Sequence, residues 1–225
     1  MKRNRHKRQS GSTILEFAIC VPCLVMVFFG TIGLGIMLGR YIQAVQVDRD
    51  VAHMYSDGVD FTQSTPQNIL VQQLAAGTGM TLTGGNGTVI FSQVQTPYLA
   101  DCTAAGYTSA QCVNKNTPVF TQRIVVGNKA LRASNYGTPT STLMNSSGNI
   151  APSVYMTNSD PTVKVATSFQ SQLVTAAGAA GLSTSLPIQP QGNIAYVVET
   201  YFQYPDIGFL GFNTTGGAYS CFIFN

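Results

Sequence analysis

From Phe17 to Gly39 the chain runs for 23 residues without a charged side chain. At about 1.5 Å of rise per residue, a helix of that length crosses a hydrocarbon layer about 30 Å thick. Five basic residues, Lys2, Arg3, Arg5, Lys7 and Arg8, precede the run with no acid among them, and Arg40 alone closely follows it. This asymmetry places the N-terminus in the cytoplasm and the rest of the chain across the membrane. A cleaved secretory signal has a shorter apolar core and a small-x-small stop, neither of which is present here. One carboxylate, Glu16, stands at the entrance to the run. An ionised acid at the centre of a bilayer costs about 2.5 to 3.5 kcal/mol on insertion scales, so an acid at the edge of the span calls for a partner or a function.

The junction reads Gly11, Ser12-Thr13-Ile14-Leu15, then Glu16-Phe17, with the basic tail directly upstream. Glycine, four residues and Glu-Phe at a membrane helix entrance resembles the processing site of type IV pilin-like proteins. Glu-Phe-Ala followed by Pro22 is most similar to the tight-adherence (Tad/Flp) pilus branch, in particular its TadE-like minor pseudopilins. The resemblance covers roughly residues 8 to 58, and the segment TQRIVVG from Thr121 to Gly127 is similar in a less specific way. It implies that a membrane prepilin peptidase cuts between Gly11 and Ser12, and that residues 1–11 are a leader. It also implies that the mature subunit works with other pilins or pseudopilins and the pilus assembly platform, in the inner membrane of a bacterium, in adhesion or secretion. Glu16, with Phe17 beside it, would then be the assembly residue. Ser12 would carry a new ammonium, and a carboxylate one turn along or on a neighbouring subunit neutralises it. The plain alternative is that Thr13-x-x-Glu16 is a capping box that starts the helix.

Inside the span, Pro22 removes one backbone donor and is expected to bend the axis gently. Gly30, Gly33, Gly35 and Gly39 form a small-residue run. Gly35 to Gly39 is a G-x-x-x-G that lets helices approach closely, although glycine is also simply frequent in membrane helices. Beyond it Ile42, Val45, Val51 and Met54 recur near helical spacing between Gln43, Gln46, Asp48, Arg49 and Asp50, which predicts an amphipathic stem ending at Ser56-Asp57-Gly58. The expected architecture is α+β and pilin-like. A transmembrane helix and stem over 12–58, membrane-spanning at about 17–39, packs on an exported domain over 59–225 with an antiparallel sheet and short helices.

Those last 167 residues suffice for one domain with its own core. Strands are expected at Thr88–Val94, Val119–Val126, Ala195–Tyr204 and Tyr219–Phe224, with Gly84-Gly85-Asn86-Gly87 turning Met80-Thr81-Leu82 into the first of them. Helices are expected after Ser64-Thr65-Pro66, stopping at Gly77, and after Ser159-Asp160-Pro161, running past Phe169 and Leu173 to Gly178. Asn135 to Asn158 reads as a long loop.

Charge and side-chain inventory narrow the function. The net charge of +3 belongs to the tail, since the chain from Ser12 onward carries seven basic and nine acidic groups. No basic patch for nucleic acid is therefore expected. The two histidines are His6 in the tail and His53 on the stem, and the acids Asp101, Asp160, Glu199 and Asp206 form no local pair. An enzyme, a cofactor, a metal site and a small-molecule substrate are accordingly not expected. Cys20 and Cys23 have C-x-x-C spacing, but with no His or acid beside them packing is the better account. Cys102 and Cys112 flank a short exported loop that an oxidising compartment would close as a disulfide, worth about 2 to 3 kcal/mol. Cys221 is left over, and its pairing with either of them stays open. An uncleaved, signal-anchored binding or adhesion module is the alternative function. Tyr196, Tyr201, Tyr204 and Tyr219 would then face a glycan or surface, although strand aromatics are more often core.

Overall fold

The computed structural model describes residues 10–169, 194–203 and 216–224. It is an α+β molecule in three layers: a long N-terminal helix, a four-stranded antiparallel sheet, and a layer of loops with short helices. Helix α1, Ser10–Ser56, has 47 residues, about 70 Å of rod, and continues through Pro22 and all four glycines of the apolar half. It stops where the sequence puts a glycine. Gly58 has φ +87°, its N–H donates to the Tyr55 carbonyl at 3.1 Å, and the Val59 N–H donates to the Met54 carbonyl at 2.9 Å. That is the paired hydrogen-bond pattern of a left-handed C-cap.

The strands are β1 (Gly87–Gln95), β2 (Val119–Gly127), β3 (Ile194–Gln203) and β4 (Gly217–Phe224), in spatial order β2-β1-β3-β4. All four cover the expected stretches; Tyr204 lies outside the described residues. Alternation sorts the side chains onto two buried faces. On one face Val89, Phe91, Ile124, Val126, Val198, Phe202 and Ala218 meet the stem. On the other Val94, Phe120, Ala195 and Val197 meet Tyr136, Ile150, Tyr155, Met156, Val163 and Val165 from the loop layer. A single bulge between Gln93 and Val94, opposite which Gln122 is followed in register by Phe120, makes this possible. A one-residue shift reverses every side chain beyond it, so Phe120 enters the second core while Gln122 and Ile124 stay on the stem face. Gly127, at φ +97°, closes β2 where a Cβ would collide with the Gly87 carbonyl oxygen.

Two local expectations change. Met80–Leu82 is not a strand: it makes one bridge, Met80 to Gly85, and the Leu82 carbonyl accepts from Gly127 N–H at 2.9 Å. With β1 flanked on both edges by β2 and β3, no ladder position is left for it. The helix expected after Pro161 opens as a 3₁₀ turn, Pro161–Val163, capped by Asp160, and α-helix follows only at 167–169, the last described residues of this stretch. Lys164 then bridges to Val119 and Val165 N–H donates to Pro118, so sheet pairing overrides the helical start. Leu173 and Gly178 lie outside the described residues. The stretch from Asn135 to Asn158 is a loop that holds a 3₁₀ turn, Ser141–Leu143, and a helical turn, Pro152–Tyr155, and it buries Tyr136, Ile150, Tyr155 and Met156. The helix after Ser64-Thr65-Pro66 is present as α2, Ser64–Ile69, extended by a π turn over Leu70–Leu74, with Gly77 at φ +76° beyond it.

Candidate functional site

Helix α1 divides into two halves with opposite surroundings. From Ile14 to Leu38 its large apolar side chains point away from the protein: Ile14 is 72 % exposed, Phe17 69 % and Leu38 61 %. Among the described residues this half stays outside the folded core, and the run is long and apolar enough to cross a membrane near the N-terminus. Gly11 and Ser12 lie in the first turns of this helix, and Glu16 and Phe17 are exposed one turn further along. Thr13 has helical residues ahead of it from Ser10, so it sits inside the helix and is not an N-cap of the full chain. Pro22, Gly35 and Gly39 are exposed, and a Cβ at either glycine would meet open space. Among the described residues nothing packs against the G-x-x-x-G. Cys20 and Cys23 are exposed free cysteines on the same half.

The second half is clamped to the sheet. Ala44, Val47, Asp48, Val51, Ala52 and Tyr55 are buried, a repeat of three and four residues that lays one stripe on β3 and β4. The stripe is rotated from the expected one: Ile42 is 48 % exposed, and Asp48 lies inside. The spacing of Asp48 from Ala44, Val47, Val51 and Ala52 already put it on this face, but its charge argued for solvent. At the border between the halves Arg40 donates to the Gly77 carbonyl and Gln43 to the Ala76 carbonyl, each at 2.7 Å. These two stem residues satisfy the carbonyls that follow the π turn and tie it to α1.

Asp48 is fully buried, and its carboxyl is pushed up to about 7, first by desolvation and further by the Glu199 carboxylate, against the pull of the Ser220 and Thr200 hydroxyls. Across the sheet, Glu199 anchors the loop layer. It lies 3.8 Å from the Arg123 guanidinium, accepts from the Asn135 N–H at 2.9 Å and from the Tyr219 hydroxyl at 2.9 Å, and also accepts from the Ser134 hydroxyl. Arg123 in turn donates to the Gly137 carbonyl. Burial pulls the Arg123 guanidinium down to about 10, and Glu199 holds it up. Arg132 covers the Tyr219 ring at 4.2 Å. Neither Asp48 nor the Arg123–Glu199 pair stood out in the sequence, because the partners are brought together only by strand register.

Cys102 and Cys112 form a disulfide, both buried, and Cys221 is free, its Sγ 3.6 Å from the Tyr136 hydroxyl. Burial pushes the Cys221 thiol up to about 12. Among the described residues no group of three or more His, Cys, Asp or Glu is arranged to hold a metal; Asp206 lies outside them.

No curated protein and no solved structure matches the chain. Residues 11–53, which begin at the glycine of the junction and end on the stem, match the family model described as TadE-like protein. The exposed apolar helix that starts at this junction and continues as the stem of an α+β domain therefore carries a TadE-like segment over residues 11–53, with the sheet domain lying outside the matched segment.

Proposed function

We propose that the chain is a minor pseudopilin, an assembly subunit of a Tad-type pilus, processed after Gly11 by a prepilin peptidase and used in adhesion or secretion. The observation that carries this reading is the division of α1: an apolar half exposed among the described residues, joined without a break to a stem locked on a folded domain. A subunit built this way rests in a bilayer when alone and exchanges lipid for neighbouring helices when assembled, with the domain carried outside. The N-terminus is cytoplasmic and the domain exported across the inner membrane, as the basic tail dictates. Ser12 becomes the mature N-terminus, and Glu16, four residues along, is the carboxylate that neutralises its ammonium within the subunit or across a helix contact. Gly35 and Gly39 offer the close approach for a neighbouring helix.

The decisive experiment is N-terminal sequencing with intact mass of the protein from its native membrane fraction. A start at Ser12 is the expected result. An intact Met1 tail would replace this reading with an uncleaved, signal-anchored binding or adhesion module.

A further inference from the structure

At the end of the stem, where α1 leaves the sheet, a cleft of about 350 Å³ opens on the stem face. Its floor is one in-register row across three strands: Gln122 of β2, Gln93 of β1 and Tyr196 of β3. One wall is Tyr55 and the turn that follows it through Asp60 to Gln63, and the opposite wall is Ser147 and Asn149, the latter bridged to Gln122. The Tyr55 ring stands edge-on to Tyr196 at 5.2 Å, and its hydroxyl donates to Gln122 Oε1 at 2.8 Å, leaving Nε2 as that amide's remaining hydrogen-bonding atom. The volume is at the lower end of ligand sites, enough for one or two small rings.

The lining selects a ligand by its chemistry. Among the described lining residues there is no Lys, Arg or His, and the one carboxylate is Asp60. Hydrogen bonds from Thr62 and Gln63 hold the Asp60 carboxyl below its ordinary value, so it stays anionic. A phosphate or carboxylate would meet that charge with nothing to offset it. What remains is a set of side-chain amides and hydroxyls, which both donate and accept, around the edge of aromatic rings. Such a set matches a ligand that is itself a dense array of hydroxyls on an apolar ring skeleton. An apolar ligand would leave the amides unpaired, at a cost. The cleft also sits at the end of α1 opposite the exposed apolar half, about 25 Å along the helix from Gly39.

We infer that this cleft binds a neutral sugar residue, with Gln122, Gln93 and Tyr196 as its floor and Gln63 and Asn149 at its rim. The inference rests on the cleft alone and is independent of leader processing or pilus assembly.

The test uses the full chain in phosphatidylcholine nanodiscs, free of sugar-based detergent, and saturation-transfer NMR. The probes are glucose, galactose, mannose, fucose, N-acetylglucosamine and N-acetylgalactosamine, with N-acetylneuraminic acid and glucosamine as charged controls. The expected result is transfer to at least one neutral sugar, weakened about tenfold in Gln63→Ala or Asn149→Ala, the loss of one well-made hydrogen bond. Both positions are exposed, so the fold is retained in these variants, and unchanged circular dichroism verifies it. Absence of transfer to every neutral sugar, transfer undiminished in both variants, or transfer to the charged controls alone overturns the inference.

Discussion

Three carboxylates carry most of the chemistry of this chain, and each is governed by its surroundings. Asp48 has a folded-state value of about 7 against an ordinary 3.8. Between those values the native state holds a proton that the unfolded state has released, so stability is full below pH 3.8 and is lost as pH rises through 7. The expected slope is about 1.4 kcal/mol per pH unit. Asp48→Asn should remove that slope and leave the protein more stable at neutral pH, as read by urea unfolding at several pH values; an unchanged slope would show that Asp48 does not titrate in this window. Glu199 differs in having a charged partner, the Arg123 guanidinium, buried with it. Glu199→Ala should cost about 3 to 5 kcal/mol by stranding that guanidinium, whereas Glu199→Gln keeps an acceptor for Asn135 and Tyr219 and should cost clearly less. Equal losses in the two variants would mean that the charge is irrelevant. For Glu16 the proposed role concerns assembly, not folding. Glu16→Ala should insert in the membrane normally yet fail to form pili, and wild-type piliation would remove the carboxylate from the assembly step.

At the scale of elements, the stem and the loop layer are held to the sheet by different means. The stem relies on a stripe of small and aromatic residues, with Phe61 stacking on Phe91 at 4.3 Å and Tyr55 edge-on to Phe91 at 5.1 Å. The loop layer is fastened by the Glu199 cluster, by Asn114 donating to the carbonyls of Tyr155 and Asn158 at 2.8 Å each, and by the disulfide that closes the segment after α3 (Leu99–Ala104). The joint Cys102→Ser, Cys112→Ser variant should lose about 2 to 3 kcal/mol, because the cross-link restricts the unfolded chain around a short loop. Reducing the wild-type protein should reproduce the loss in a chemical melt. A melt insensitive to reductant would show that core contacts alone hold this segment.

For the whole molecule the exposed apolar half of α1 decides behaviour, since so large an uncovered surface is incompatible with a free monomer in water. On the proposed reading, the basic tail orients that half in the membrane and its removal releases the subunit for assembly. Gly11→Val should then block cleavage, so that the membrane fraction carries only the full-length mass. Normal mature protein from that variant would take Gly11 out of the processing site.

Much of this design is written in the order of residues. The apolar run, the glycine that ends α1, the four strands and the candidate disulfide follow from local rules: hydrophobic length, the left-handed freedom of Gly58, β-branched alternation, and short cysteine spacing. Those rules act between near neighbours, so they survive without knowledge of the fold. What they miss is everything decided by distant pairing. Asp48 is buried because the stem packs its stripe on β3 and β4, and Met80–Leu82 is denied a strand because β2 and β3 already flank β1. The helical start at Pro161 yields to the bridge from Lys164 to Val119, and one bulge sends Phe120 to the far core. The row Gln122, Gln93 and Tyr196 is likewise spread along the chain and becomes a floor only through register. Sequence alone determined which run is long and apolar enough to cross a membrane and where the long helix and the four strands lie; tertiary structure alone decided which polar groups face each other, because strand register, unlike helical period, is set by partners far away in the chain.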